Sequence, residues 1–290
     1  MFTRDLTRIS RVMSYNIRMD TPADGENQWV RRRDRVFRLI QYYQPDLIGI
    51  QEALPHQIGD LVSAFPIYGW YGVGRDDGKR QGEFSAILYR LDIFERQNQG
   101  TFWLSKTPDV PGSKGWDAAL PRICSWVLLH DRRTNQKVCH FNTHLDHVGK
   151  TARREGARLI ASRIHQIAGS KIPTVLTGDF NAGPESDAYR TIVTHSPLRD
   201  AKLITKAPHD GPQGTWSTFN ARNTIGGRLD YIFVSPQHFQ VLHHSHSTYT
   251  ENQKYPSDHL PVLANIMLQP PKHHLAIKHK PHPKHKHMAP

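Results

Sequence analysis

The stretch PTVLTGDFN, residues 173–181, reads as a buried β-strand that stops at an acidic tip, with Asp179 and Asn181 where the apolar run ends. The same pattern recurs along the chain. RVMSYNI (11–17) has Asn16 next to its last residue, DLIGIQE (46–52) ends on Glu52, and LDYIFV (229–234) has Asp230 in second place. PVLANIML (261–268) follows the pair Asp258-His259. Amphipathic helical periods separate these runs at Trp29–Tyr43, 55–65 and 152–168. Alternation of this kind predicts an α/β fold. In the first helix the apolar residues Val36, Phe37, Ile40 and Tyr43 share a face, and the run Arg31, Arg32, Arg35 and Arg38 reads as a solvated face.

No linker divides residues 1–268, which are expected to form one domain. From Gln269 to Pro290 the composition turns to Pro, Lys and His, too poor in apolar side chains to offset the entropy of ordering, so this tail is expected to be disordered. The net charge is +12; the tail holds five Lys and no acid, which leaves +7 on the rest. A basic body attracts polyanions such as nucleic acid, and the tail could add a weak contact to an anionic membrane surface. RICSWVLLH and KVCHFNTHL form the arms of a hairpin. If His130 faces Lys137, Cys139 opposes Leu128, about 13 Å from Cys124 and too far to bridge. Free thiols fit the cytoplasm. No run approaches a membrane span or an N-terminal leader, so the chain is expected to be soluble and monomeric, cytoplasmic or exported without a recognisable signal.

A carboxylate at the end of a buried strand must be offset by a metal, a cation or hydrogen bonds. Glu52, Asp179, Asp230 and Asp258, with the amides of Asn16 and Asn181, form such a set. The body shows no Cys/His cluster at zinc spacing, so oxygen ligation points to Mg²⁺, with Mn²⁺ as a substitute. His144, at the end of FNTH, and His259 add groups able to donate to phosphoryl oxygens.

Taken in order, SYNIR, QE, THLDH, GDFN, RLDYIF and SDHLP resemble the motifs of the endonuclease/exonuclease/phosphatase superfamily over residues 10–268. That resemblance implies a deoxyribonuclease I-like four-layer α/β sandwich, two packed mixed β-sheets flanked by helices, and a divalent-metal-dependent phosphoesterase. It implies Glu52 as principal metal ligand, with Asn16 beside it and Asp258 near the same cation. Asp179 is similar to the residue that orients or deprotonates the attacking water, and Asn181 to its partner on water or phosphate. His259 resembles the histidine on the scissile phosphate, with Asp230 fixing its tautomer and charge. His144 matches a second histidine of the deoxyribonuclease I and poly(A)-nuclease branches. Glu83, six residues before Tyr89-Arg90, has the spacing of that histidine's carboxylate partner, and Arg122 is placed as a phosphate contact.

The branch markers lean toward a nucleic acid or nucleotide as substrate, with a phosphodiester or phosphomonoester cut by in-line water attack. GGRLDYIF departs from the Trp-Cys-Asp-Arg type motif of inositol 5-phosphatases, and Arg18 stands where abasic-site endonucleases carry an acid. A phosphoinositide or sphingolipid phosphoesterase at a membrane surface is the alternative within the class. A non-catalytic, phosphate-binding pseudoenzyme is the alternative outside it; that reading expects a catalytic position to be lost, and none of these is.

Overall fold

A computed structural model describes residues 8–270. The disordered tail expected from Gln269 onward lies, beyond Pro270, outside the described residues. The elements run β1 (Ile9–Asn16), α1 (Trp29–Tyr43), β2 (Leu47–Ala53), α2 (Pro55–Ala64), β3 (Tyr68–Tyr71), β4 (Phe84–Arg90) and β5 (Phe94–Trp103). There follow β6 (Ile123–Asp131), β7 (Gln136–His144), α3 (Lys150–Ile167), β8 (Thr174–Asp179), α4 (Asp187–His195), β9 (Arg199–Asp200) and α5 (Ala201–Ile204). The chain closes with β10 (Asp230–Val234), β11 (Phe239–His246) and β12 (Val262–Leu268).

The strands form two six-stranded mixed sheets, ordered β11-β12-β1-β2-β4-β3 and β5-β6-β7-β8-β10-β9. Each has a parallel pair at its centre, β1 with β2 and β7 with β8, flanked by antiparallel neighbours. Residues such as Val12, Ile87, Val127, Val175 and Ile232 fill the space between the sheets. Helices α3 and α4 cover the outer face of the second sheet through Ile160, Ile164 and Ile192. Helices α1 and α2 cover the first through Val36, Leu39, Ile40 and Leu61. The result is the four-layer α/β sandwich expected from the sequence. The hairpin register also agrees, with His130 opposite Lys137 and Leu128 opposite Cys139, and both cysteines are free and buried.

A polar stitch interrupts the inter-sheet core near one end. Asn142 on β7 donates to the carbonyls of Ile50 and Ala86 (2.8 and 2.9 Å) and accepts from Gln51 Nε2 (2.7 Å) and Thr177 Oγ1 (3.0 Å). Buried amides persist only when so paired. The sheets approach closely enough here that a Cβ on Gly49 would stand 2.0 Å from Thr177 Oγ1. This stitch fixes β2 against β7 and β8, the strands whose ends carry Glu52, His144 and Asp179.

One sequence expectation is corrected. Arg32 is fully buried rather than solvated. Its guanidinium donates to the carbonyls of Asn27, Ile17, Arg18 and Pro256 and lies over the rings of Trp29 and Phe219. A helical period places a residue on a face but does not reveal loop carbonyls that fold over that face.

Candidate active site

The topology brings the motif residues together. Parallel strands β1, β2, β7 and β8 end at one edge of the sandwich, and their antiparallel neighbours β4, β6, β10 and β12 begin there. Asn16, Glu52, His144 and Asp179 therefore meet Glu83, Arg122, Asp230, Asp258 and His259, which stand at or just before the starts of the neighbouring strands. Backbone irregularity aims some of them. The β2–β4 register shifts between Ile50 and Ala53, and Glu52 adopts φ +65°. Arg18 (φ +58°) and Asn181 (φ +46°) share this left-handed conformation, which is uncommon outside glycine and concentrates at functional sites.

His259 Nδ1 lies 2.8 Å from Asp230 Oδ2, and Nε2 faces Asp179 Oδ2 at 3.8 Å. Burial opposes the charged ring, but Asp230 and Asp179 outweigh it and hold the His259 pKa well above the usual value. Asp179 is itself buried; that desolvation, with the charge of Asp230, pushes its carboxyl up to about 7.

The Asn181 amide donates to His144 Nε2 (2.9 Å) and to the Leu145 carbonyl (3.0 Å), while its backbone N–H donates to Asp179 Oδ1 (2.8 Å). His144 Nε2 is thus an acceptor and the proton sits on Nδ1, facing Glu83 Oε2 at 3.7 Å. Burial, with Arg122 and Arg75 nearby, keeps the ring neutral. The His144–Glu83 pair is looser than the sequence suggests because Glu83 spends its short contact on Arg75 Nη1, 2.6 Å away. Burial and the charge of Glu52 nevertheless push Glu83 up to about 7.

Glu52 and Asp258 flank Arg18, at 3.8 and 3.9 Å, and Arg18 is gripped by both oxygens of Asp24 at 3.0 Å. Asn16 Oδ1 accepts from the Arg18 N–H (2.9 Å), so its amide nitrogen must point to the carboxylates; it donates to Glu52 Oε1 (2.8 Å) and Asp179 Oδ2 (2.9 Å). Burial and the charge of Glu52 hold the Asp258 carboxyl above its usual range, with His259 opposing. The carboxylate oxygens of Glu52, Asp179 and Asp258 fit a hard divalent cation, whereas Asn16, expected as a ligand, turns its amide nitrogen to Glu52 and Asp179 and its oxygen to the Arg18 N–H. Glu52, His144 and Asp179 also lie within ligand distance of one another, as do Asp179, Asp230 and His259.

Glu52, Glu83, Arg122, His144, Asn181, Asp258 and His259 line a cavity of about 540 Å³ with Arg18, Met19, Leu120, His147, Trp216 and Leu229. Arg122 Nε reaches Asp146 Oδ2 (3.3 Å) and Nη2 reaches His147 Nδ1 (2.9 Å), but Nη1 is buried without a hydrogen-bond partner. Trp216 walls the cavity, whereas Trp103 is buried and donates to the Arg75 carbonyl.

Asp146 and Arg75 were missed as site residues. Asp146 sits inside the THLDH motif, which was its only signal; Arg75 is brought to Glu83 by a loop with no motif. Burial pushes the Asp146 carboxyl up, but the N–H groups of Gly149, Ala119 and Val148, with Arg122, outweigh it and bring it down to about 2. A depressed carboxyl stabilises the fold above its unfolded pKa near 3.8, and the contribution is lost as pH falls toward 2. Asp146→Asn is expected to cost about 2 kcal/mol at neutral pH and to flatten the stability profile between pH 4 and 2. Urea midpoints across that range check it; parallel profiles for the two proteins would exclude the role.

Another correction concerns histidine. Among the described residues, His209, His244 and His246 come together although no zinc-type spacing marks them in the sequence.

A paired-sheet sandwich with a His–Asp pair, acidic residues and buried arginines around one cavity defines a phosphoester-hydrolase class of site. The model of the Endonuclease/Exonuclease/phosphatase family matches residues 13–259, and the chain belongs to that family, whose hydrolases act on phosphoester bonds. Among solved structures, the chain is similar to a mannosyl-6-phosphatase of Bacteroides thetaiotaomicron, with 39% identity, a TM-score of 0.84, and 89% of this chain and 99% of that one covered. It is 23% identical to Nocturnin of Mus musculus, over 91% of this chain and 67% of the relative. It is also 25% identical to the uncharacterized protein R895 of Acanthamoeba polyphaga mimivirus, of whose length it spans 41%. No described helix is long and apolar enough to cross a membrane.

Proposed function

We propose that the chain is a divalent-metal-dependent phosphatase that releases phosphate from a small phosphomonoester, with a sugar phosphate as the substrate class. The observation that carries this reading is the one cavity lined by Glu52, Asp258, His144, Asn181, Arg122 and His259, with Asp230 and Asp179 against the two nitrogens of the His259 ring. Its volume of about 540 Å³ fits a small molecule. Likeness to the Bacteroides mannosyl-6-phosphatase, over nearly all of that protein, supports the sugar phosphate.

Glu52 and Asp258 would hold Mg²⁺ or Mn²⁺, which when bound supplies Lewis-acid stabilisation of charge on phosphoryl oxygens, while Asn16 donates to Glu52 and orients it. Asp179, whose carboxyl is pushed up to about 7, is placed to orient a water and take its proton near neutral pH. Cationic His259 donates through Nε2 to a phosphoryl oxygen while Asp230 holds Nδ1. Asn181 and Arg122 fix the remaining oxygens, and His144 and Glu83 form the neighbouring wall. Trp216, Leu120 and Leu229 offer apolar faces to the group that leaves.

Purified protein with Mg²⁺ or Mn²⁺ is expected to release inorganic phosphate from hexose 6-phosphates, to lose that activity in EDTA, and to regain it when the metal is restored. A nucleic acid or nucleotide substrate is the second reading, favoured by the basic body. Cleavage of oligonucleotides with no phosphate released from any sugar phosphate would establish it and reject the first. Metal-independent turnover would reject both.

A further inference from the structure

Between the motif residues Asp230 and Asp258, β11 carries His244 and His246 two residues apart, so both project from one face of the strand. The segment after α5 runs beside it. Lys206 and Ala207 donate to the carbonyls of Val241 and Leu242, Asp210 donates to that of His244, and His246 donates back to that of Asp210. This pairing sets His209 against the two strand histidines, with ring centroids 5.1 and 4.5 Å away.

Hydrogen bonds assign the tautomers. His209 Nε2 donates to the Pro212 carbonyl (3.1 Å), which leaves a lone pair on Nδ1. His246 Nδ1 donates to the carbonyls of Pro212 and Gly214 (2.7 and 3.1 Å), which leaves the lone pair on Nε2. His244 Nδ1 lies 3.0 Å from His209 Nδ1 and donates to it, leaving Nε2 bare. His244 and His246 are 0% and 1% exposed, and the Nε2 atom of each is buried with no hydrogen-bond partner. Two buried imidazole lone pairs left unsatisfied are costly unless something binds them.

We propose that His209, His244 and His246 form a binding site for a borderline-soft divalent transition ion, zinc being the fitting probe, that clips the segment after α5 to β11. One ligand atom from each ring lies within 4.8 Å of the other two. Ligating imidazoles usually donate their other N–H to a carbonyl, as His209 and His246 do here. The nearby cation Arg228 is paired with Asp200 at 2.7 Å. The clipped segment leads directly into Thr215 and Trp216, so the ion would brace the wall of the active-site cavity from outside it.

The test uses the full-length chain with the six histidines after Leu268 replaced by Ser, to remove binding by the tail, and saturating Mg²⁺ to fill the oxygen site. One equivalent of Zn²⁺ is expected to bind and raise the Tm, and Co²⁺ is expected to give the visible d–d absorption of a tetrahedral nitrogen site. His209→Ala, at a half-buried position, and His246→Ala should each weaken Zn²⁺ binding by roughly 100-fold and abolish the Co²⁺ band. His243→Ala, one residue out of phase on β11, should leave both unchanged. Circular dichroism checks that each variant is folded, and His209→Ala answers the question alone if His246→Ala is not. Zn²⁺ binding unaltered by His209→Ala, or the absence of a tetrahedral Co²⁺ band in the parent, would overturn the proposal.

Discussion

Asp179→Asn is expected to lower turnover by roughly 10³-fold while leaving the protein at least as stable as the parent. The two halves of this expectation have the same cause. Burial, with the charge of Asp230, pushes the Asp179 carboxyl up to about 7, so the folded protein carries this charge at a cost. An amide of the same shape removes that charge and can still accept from the Asn181 N–H; its nitrogen then faces the Asn16 amide, a smaller penalty than the buried charge it relieves. It cannot take a proton from water, and it removes a carboxylate that, with those of Asp230 and Asp258, holds His259 charged. Sites that store unfavourable electrostatics for chemistry gain stability when disarmed. Initial rates and thermal unfolding on the same samples separate the effects. Near-parental turnover would remove Asp179 from the mechanism, and loss of both activity and fold would mark it as structural.

Much of this site was legible because its residues stand where apolar runs stop. A strand written in β-branched residues that ends on Asp179 or Glu52 announces both the strand and a buried charge needing a partner. The order of six such motifs then identified the family and, through it, the layers. What stayed hidden depends on contacts without local pattern. Strand β5 is mostly exposed polar side chains, FERQNQGTFW, and gives no period-2 signal; it is held as an edge strand by β6. Arg75 meets Glu83 through a loop. His209 joins His244 and His246 across 35 residues, because one segment pairs with an edge strand. The expected pairing of His144 with Glu83 is real as proximity, but only distances could show that Arg75 is the nearer partner.

Arg32 is the largest departure from its sequence reading, and Arg32→Ala is expected to cost about 3–5 kcal/mol and to weaken the response to Mg²⁺. Truncation would leave the carbonyls of Ile17, Asn27 and Pro256 without this donor and that of Arg18 with Gln57 Nε2 alone, and would remove the guanidinium from the faces of Trp29 and Phe219. Each buried carbonyl left unpaired carries a desolvation penalty of about 1–3 kcal/mol, reduced where water can enter. The same carbonyls belong to the loops that aim the acidic residues: Ile17 and Arg18 follow Asn16, and Pro256 precedes Asp258, whose neighbour Ser257 donates to the Asn16 carbonyl at 2.7 Å. Loosening these loops should raise the Mg²⁺ concentration for half-maximal activity by roughly tenfold, the scale on which residues behind metal ligands act. Arg32→Lys should recover only part of either loss, since an ammonium presents three donors on a point where the guanidinium spans four acceptors in a plane. Urea midpoints and Mg²⁺ titrations of activity measure both. If Arg32→Ala keeps the parental midpoint, the four carbonyls find other donors and Arg32 does not join these loops; if stability falls while the Mg²⁺ response is unchanged, the clamp supports the fold without reaching Glu52 and Asp258.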